Sequence, residues 1–150
     1  MEYEKVKSRL IELDNIQQQN RLDSKSFIAA SREINDILYR YISIKDFAFI
    51  GKHLGRELTI DDEARLVAAA SKNLPLTDAI TLPSSVAAAF VIRKGRREKG
   101  LSQADLANEV GMTQSQIAKI ENVSNGINLD VMQQIMNVLG RTFIIKPAPI

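Results

Sequence analysis

Residues 101–121 read LSQADLANEVGMTQSQIAKIE. Apolar residues fall there at helical spacing in two short runs on either side of Gly111: Leu106, Ala107 and Val110 on one face of a first helix, Ile117 and Ile120 on one face of a second. Neither run can persist alone, because isolated helices under about 12–15 residues are marginal in water. Burial of the two faces against each other and under flanking helices must hold them. Local signals agree with this reading. Ser102 with Asp105, and Thr113 with Gln116, fit the pattern in which a hydroxyl caps a helix and a side chain three residues on returns the bond. Gly111 falls where the first helix must end and takes a left-handed conformation at little steric cost. The second helix then turns Ser115, Ala118, Lys119 and Asn122 away from the core, flanked by Gln114 and Gln116, with no acid before Glu121. Small residues allow a close approach, Gln offers a donor and an acceptor, and Lys offers donors, which are the groups that read base edges in a major groove. A polar outer face is equally the ordinary state of a solvated helix.

Working outward, the chain from Pro83 predicts helices at 84–98, 102–110, 113–121 and 128–139, a loop VSNGI, and a final apolar run RTFIIK stopped by Pro147. The run RKGRREK at 93–99 holds five cations in seven residues. It reads as a patch for a polyanion, or as a charged helix end favoured by the helix dipole. The basic excess is local: residues 84–150 carry eight Lys/Arg against five Asp/Glu, whereas residues 1–83 carry twelve against thirteen.

The stretch LSQADLANEVGMTQSQIAKIEN closely resembles the helix-turn-helix of the Cro-like (Xre) bacterial and phage repressors, through Gln103, Leu106, Ala107, Gly111, Thr113, Ile117, Ile120 and Glu121. That resemblance implies an all-α fold over 83–150, a five-helix, lambda-repressor-like helix-turn-helix module with a short C-terminal β-strand, preceded by an N-terminal helical region over 1–82. It implies that Gln114, Ser115, Gln116 and Lys119 read DNA bases, that Gln103 and Thr113 clasp phosphate, and that Arg96 and Glu121 form an internal ion pair. Arg93, Lys94, Arg97 and Lys99 are then candidate backbone contacts, adding affinity without sequence information. The segment ENVSNGINL departs from the family's shorter Glu-Asn-Gly turn, which leaves its phosphate contacts open.

LGRTFIIKPAP is similar to the strand that follows the last helix in HipB-type antitoxins and pairs with its copy in the partner subunit; the HigA-type antitoxins are the other comparison. A lone apolar strand has unpaired edges, so pairing of Thr142, Phe143, Ile144 and Ile145 across a two-fold axis would satisfy them. Folding back on the protomer's own N-terminal part is the alternative. A symmetric homodimer sets two reading helices about 34 Å apart and favours a palindromic operator in double-stranded DNA.

In the N-terminal part, Val6, Leu10, Leu13 and Ile16 predict a helix over 3–20, and Phe27, Ile34, Ile37, Leu38 and Tyr41 one over 25–42, joined by Asn20–Ser24 as a helical hairpin. A shorter apolar segment covers 44–54, and Thr59 with Asp61, Asp62 and Glu63 reads as a helix start. The three carboxylates cap rather than bind a cation, since no EF-hand spacing accompanies them. Pro75 and Pro83 mark a joint, with the boundary near 82. This hairpin extends the dimer, holds a toxin, or senses a signal.

With no cysteine and a single His53, neither a disulfide nor a Cys/His metal site is expected, and an intracellular home is the simpler reading. No catalytic fingerprint and no apolar run of membrane-spanning length occurs. The expectation is a cytoplasmic, non-enzymatic repressor without metal or cofactor, the antitoxin of a toxin–antitoxin operon with a toxin protein as partner. A phage-type repressor and a helix-turn-helix adaptor that does not read DNA are the alternatives.

Overall fold

From the second helix onward, every helix among the described residues begins on a Ser, Thr or Asn cap or on a proline. The computed structural model describes residues 1–124, 126–145 and 147. These residues form helices only, and the chain divides into two units between Leu82 and Pro83. No helix among them is long and apolar enough to cross a membrane.

The first unit contains α1 (Tyr3–Gln19), α2 (Lys25–Tyr39), α3 (Ile44–His53), α4 (Ile60–Ser71) and the single turn α5 (Leu76–Ala79). Helix α1 buries Val6, Leu10 and Leu13 at helical spacing and packs on α2 and α4. Ser24 starts α2 by accepting a bond from the Phe27 amide. The helix expected to reach residue 42 stops at Tyr39, because Ser43 caps α3 by accepting from the Asp46 amide. Tyr41 is therefore exposed and Ile42 buried. Thr59 and Asp62 form a complete capping box at the head of α4. Asp61 bonds Tyr3, Lys7 and Arg65, and Asp62 pairs with Arg56, so two of the three adjacent carboxylates are engaged within the unit. His53 is half-buried with its ring against Phe49.

The second unit contains α6 (Ser84–Glu98), α7 (Gln103–Val110), α8 (Gln114–Glu121) and α9 (Leu129–Val138). Its core joins Ile92 of α6, Leu106 and Ala107 of α7, Ile117 and Ile120 of α8, and Met132, Ile135 and Met136 of α9. The expected five-helix module with a C-terminal strand needs correction. Four helices occur among the described residues of this unit, and Thr142, Phe143, Ile144 and Ile145 form no strand. The run after Gly140 is rich in branched residues and ends at Pro147, which disfavours a further helix. A strand needs a neighbour for its ladder bonds, and no strand among the described residues of the unit offers one. Phe143 instead packs on the core, while Ile144 and Ile145 are exposed. Lys146 lies outside the described residues.

Candidate nucleic-acid interface

Two capping boxes and one left-handed residue fix the arrangement of α7 and α8. The Ser102 hydroxyl accepts from the Asp105 amide at 3.0 Å, and the Asp105 carboxylate accepts from the Ser102 amide at 2.8 Å. Those bonds hold the Asp105 carboxyl below its ordinary range, the backbone amide contributing most. Gly111 ends α7 at φ 67° and ψ 30°, and the Met112 amide then reaches back to the Ala107 carbonyl at 2.9 Å. Thr113 starts α8 two residues later, with its hydroxyl accepting from the Gln116 amide at 3.1 Å. Packing of Leu106 and Ala107 against Ile117 and Ile120 supplies the burial that neither short helix has by itself.

The outer side of α8 presents Gln114, Ser115, Gln116 and Lys119 to solvent, with Asn122 following and Ala118 half-buried between them. Gln116 is partly committed: its side-chain carbonyl accepts from the Thr113 amide at 2.9 Å, which leaves its amino group to face outward. The Thr113 hydroxyl serves the cap and keeps its own proton as a donor.

Gln103 is drawn inward. Its amino group donates to Glu121 Oε2 at 2.5 Å, and its carbonyl accepts from Gln114 Nε2 at 2.9 Å. Arg96 and Glu121 are brought together, Arg96 Nε donating to Glu121 Oε1 at 2.7 Å while Arg96 Nη1 donates to the Leu101 carbonyl. With side-chain exposures of 14 % and 2 %, this pair is shielded from solvent, and removing either partner would strand a buried charge.

The basic run on α6 does not act as one uniform patch. Arg97 is exposed and its Nε donates to the Arg93 carbonyl, while Arg93 and Lys94 are half-buried, Lys94 Nζ standing 5.9 Å from the Phe90 ring centroid. Lys99 donates to the Val138 carbonyl at 2.7 Å and so caps the end of α9. Glu98 takes up Arg141 at 2.5 Å. The Gln103–Gln114 link and the Lys99 cap had no signal in residue spacing, since both join residues brought together by packing. Among the described residues no group of His, Cys, Asp or Glu could hold a metal ion.

Two short capped helices around a left-handed glycine, with the second exposing a polar face, are the geometry that seats one helix in a DNA groove. Residues 92–145 match the helix-turn-helix family model. The match runs from the second half of α6 through the segment after α9, so it contains all of α7, the turn and α8. No curated protein and no solved structure matches the chain. A helix-turn-helix match over these residues points to a DNA-binding regulator.

Proposed function

We propose that the chain is a sequence-specific transcriptional repressor that binds a palindromic operator as a homodimer, acting in the cytoplasm by covering a promoter without catalysis. The single observation that carries this reading is the exposed face Gln114, Ser115 and Lys119 on a helix held rigidly by a capping box and a shared core. Rigid placement matters because base discrimination depends on bond geometry, whereas phosphate attraction tolerates loose positioning. We further propose that it is the antitoxin of a toxin–antitoxin operon and represses its own promoter. The resemblance of LGRTFIIKPAP to the pairing segment of HipB-type antitoxins supports that step, as do the exposed Ile144 and Ile145, apolar side chains free to meet a second copy.

Footprinting on the DNA upstream of the coding region tests operator binding, and light scattering tests the dimer. Gln114→Ala and Lys119→Ala are expected to relax sequence preference by about 1–3 kcal/mol each where the lost contact is bidentate. Arg97→Ala is expected to weaken binding to all sequences alike and to flatten its salt dependence. Equal losses on operator and random DNA for all three variants would exclude base reading by α8. Neutralisation of a growth-arresting neighbour gene by co-expression tests the antitoxin role.

A further inference from the structure

The outer face of α2, in the first unit, is its own complement. At about 3.6 residues per turn, Ile28, Ala29, Arg32, Asn35, Asp36 and Tyr39 fall within a stripe about 120° wide, and all are exposed. Ala30, Ile37 and Leu38, on the opposite side of the helix, are buried. Ile28 and Tyr39 keep 41 % and 39 % of their surface open, and the Tyr39 ring is braced edge-on by Phe47, with 5.7 Å between centroids. An exposed ring already held in place loses little freedom when something packs on it. Between these apolar ends stand one cation and one acid. Arg32 enters no ion pair among the described residues, and its neighbour Glu33 is taken by Arg9. Asp36 holds Arg40 through Oδ2, and a carboxylate accepts from more than one donor. Counted from position 34, Arg32 and Asp36 stand two residues to either side, and Ala29 and Tyr39 five. A two-fold rotation about that point brings each residue opposite its complement.

We propose that α2 pairs antiparallel with α2 of a second copy of this chain, with Arg32 meeting Asp36 of the second copy, Asp36 meeting its Arg32, and Tyr39 packing on its Ile28 and Ala29. The small Ala29 side chain lets the two axes approach to the roughly 8–10 Å of packed helices. Charge decides in favour of a second copy. Apolar side chains alone would accept many partners, but a cation and an acid at mirrored positions are both satisfied by the same stripe reversed. An anionic lipid surface or an acidic protein would set like charge against Asp36, and a basic one against Arg32. Parallel pairing would likewise set Arg32 against Arg32 and Asp36 against Asp36, so the antiparallel direction is favoured. This contact gives the homodimer proposed above a site in the first unit, and it stands whether or not the second unit reads DNA.

The chain has no cysteine, so one introduced thiol reports the pairing in the full-length protein. Asn35 lies one residue from the two-fold point, where the facing backbones of packed helices come within the roughly 4.4–6.8 Å that a disulfide spans. Under mild oxidation Asn35→Cys is expected to link into a dimer about tenfold faster than Gln19→Cys, an exposed position at the end of α1. Adding Arg32→Glu or Asp36→Arg to Asn35→Cys is expected to slow that linkage about tenfold, because like charges then face each other. The two exchanges together are expected to restore it to within about threefold of the starting rate. Misfolding is not repaired by reversing a second charge, and a thermal melt of each variant confirms that it folds. Light scattering would not separate this contact from one made elsewhere on the chain, whereas the disulfide does. Equal rates for Asn35→Cys and Gln19→Cys would mean that the copies meet there only by collision; that result would leave the face to another protein or a lipid surface and overturn the proposal. A folded double exchange that fails to restore linkage would overturn it equally. Operator footprinting is read separately, since its failure removes the DNA reading and leaves the α2 pairing in place.

Discussion

Val123 carries a backbone conformation that its side chain opposes. Five helices among the described residues end in the same way, with a left-handed residue followed by an amide that reaches back five residues. The left-handed position is Asn73 after α4, Gly100 after α6, Gly111 after α7, Val123 after α8 and Gly140 after α9. Glycine and asparagine tolerate it; a β-branched residue at φ 59° does not. The Ser124 amide nevertheless donates to the Lys119 carbonyl at 2.9 Å, so the hydrogen bond is kept despite the local strain. Left-handed placement costs a non-glycine residue about 1–2 kcal/mol, and glycine's greater freedom in the unfolded chain offsets roughly 0.5–1 of that. Val123→Gly is accordingly expected to stabilise the second unit by about 0.5–1 kcal/mol. A rise in the urea midpoint of unfolding checks it, and an unchanged or lower midpoint would show that the contacts of the half-buried Val123 side chain outweigh the strain.

At the scale of elements, α8 is eight residues long and depends on its first turn. Thr113→Ala removes the hydroxyl that accepts from the Gln116 amide and is expected to cost about 1 kcal/mol, with Thr113→Ser restoring most of it. Urea unfolding followed by helical circular dichroism distinguishes the two; equal losses for Ala and Ser would shift the cause to the threonine methyl group. Such caps were legible in the sequence because they are local: Ser24, Thr59, Ser102 and Thr113 each stand three residues before their amide partner. The apolar spacing that set α1, α2, α7 and α8 was legible for the same reason. Gln103–Gln114, Lys99–Val138 and Glu98–Arg141 were not, since they join residues 11, 39 and 43 positions apart and exist only once helices pack. The C-terminal strand failed on the opposite ground. Branched residues favour an extended chain, but a strand is completed by a neighbour, and composition cannot supply one.

For the molecule as a whole, each unit has its own source of hold, and the first adds an opposition among adjacent charges at the head of α4. Tyr3, Arg65 and Lys7 hold the Asp61 carboxyl well below the usual carboxylate range, and Arg56 together with the Thr59 cap holds Asp62 at about 2. Glu63, half-buried beside Asp14 and Asp62, goes the other way: burial first, then those two carboxylates, pushes it up to about 6. The positive end of α4 favours an ionised Glu63, and desolvation outweighs it. An acid whose pKa is raised on folding binds its proton more tightly in the folded state. Glu63 therefore destabilises the unit progressively as pH rises from about 4.5 through about 6, and the full penalty persists above that. Glu63→Gln is expected to stabilise the protein by about 1 kcal/mol at neutral pH, a figure already reduced for partial solvent access. The advantage should shrink as pH falls and vanish near 4.5, where the wild-type side chain is itself protonated in the folded state. Asp61 and Asp62 titrate lower in both proteins, so their loss of stabilisation in acid cancels in the difference. Operator affinity of Glu63→Gln should match wild type at each pH, because α8 draws its hold from the core shared by α6, α7 and α9. Paired urea titrations at several pH values measure the difference directly, and a gain that is constant from pH 4.5 to 7.5 would mean that the glutamine improves packing or helix propensity and that the charge of Glu63 is of no consequence.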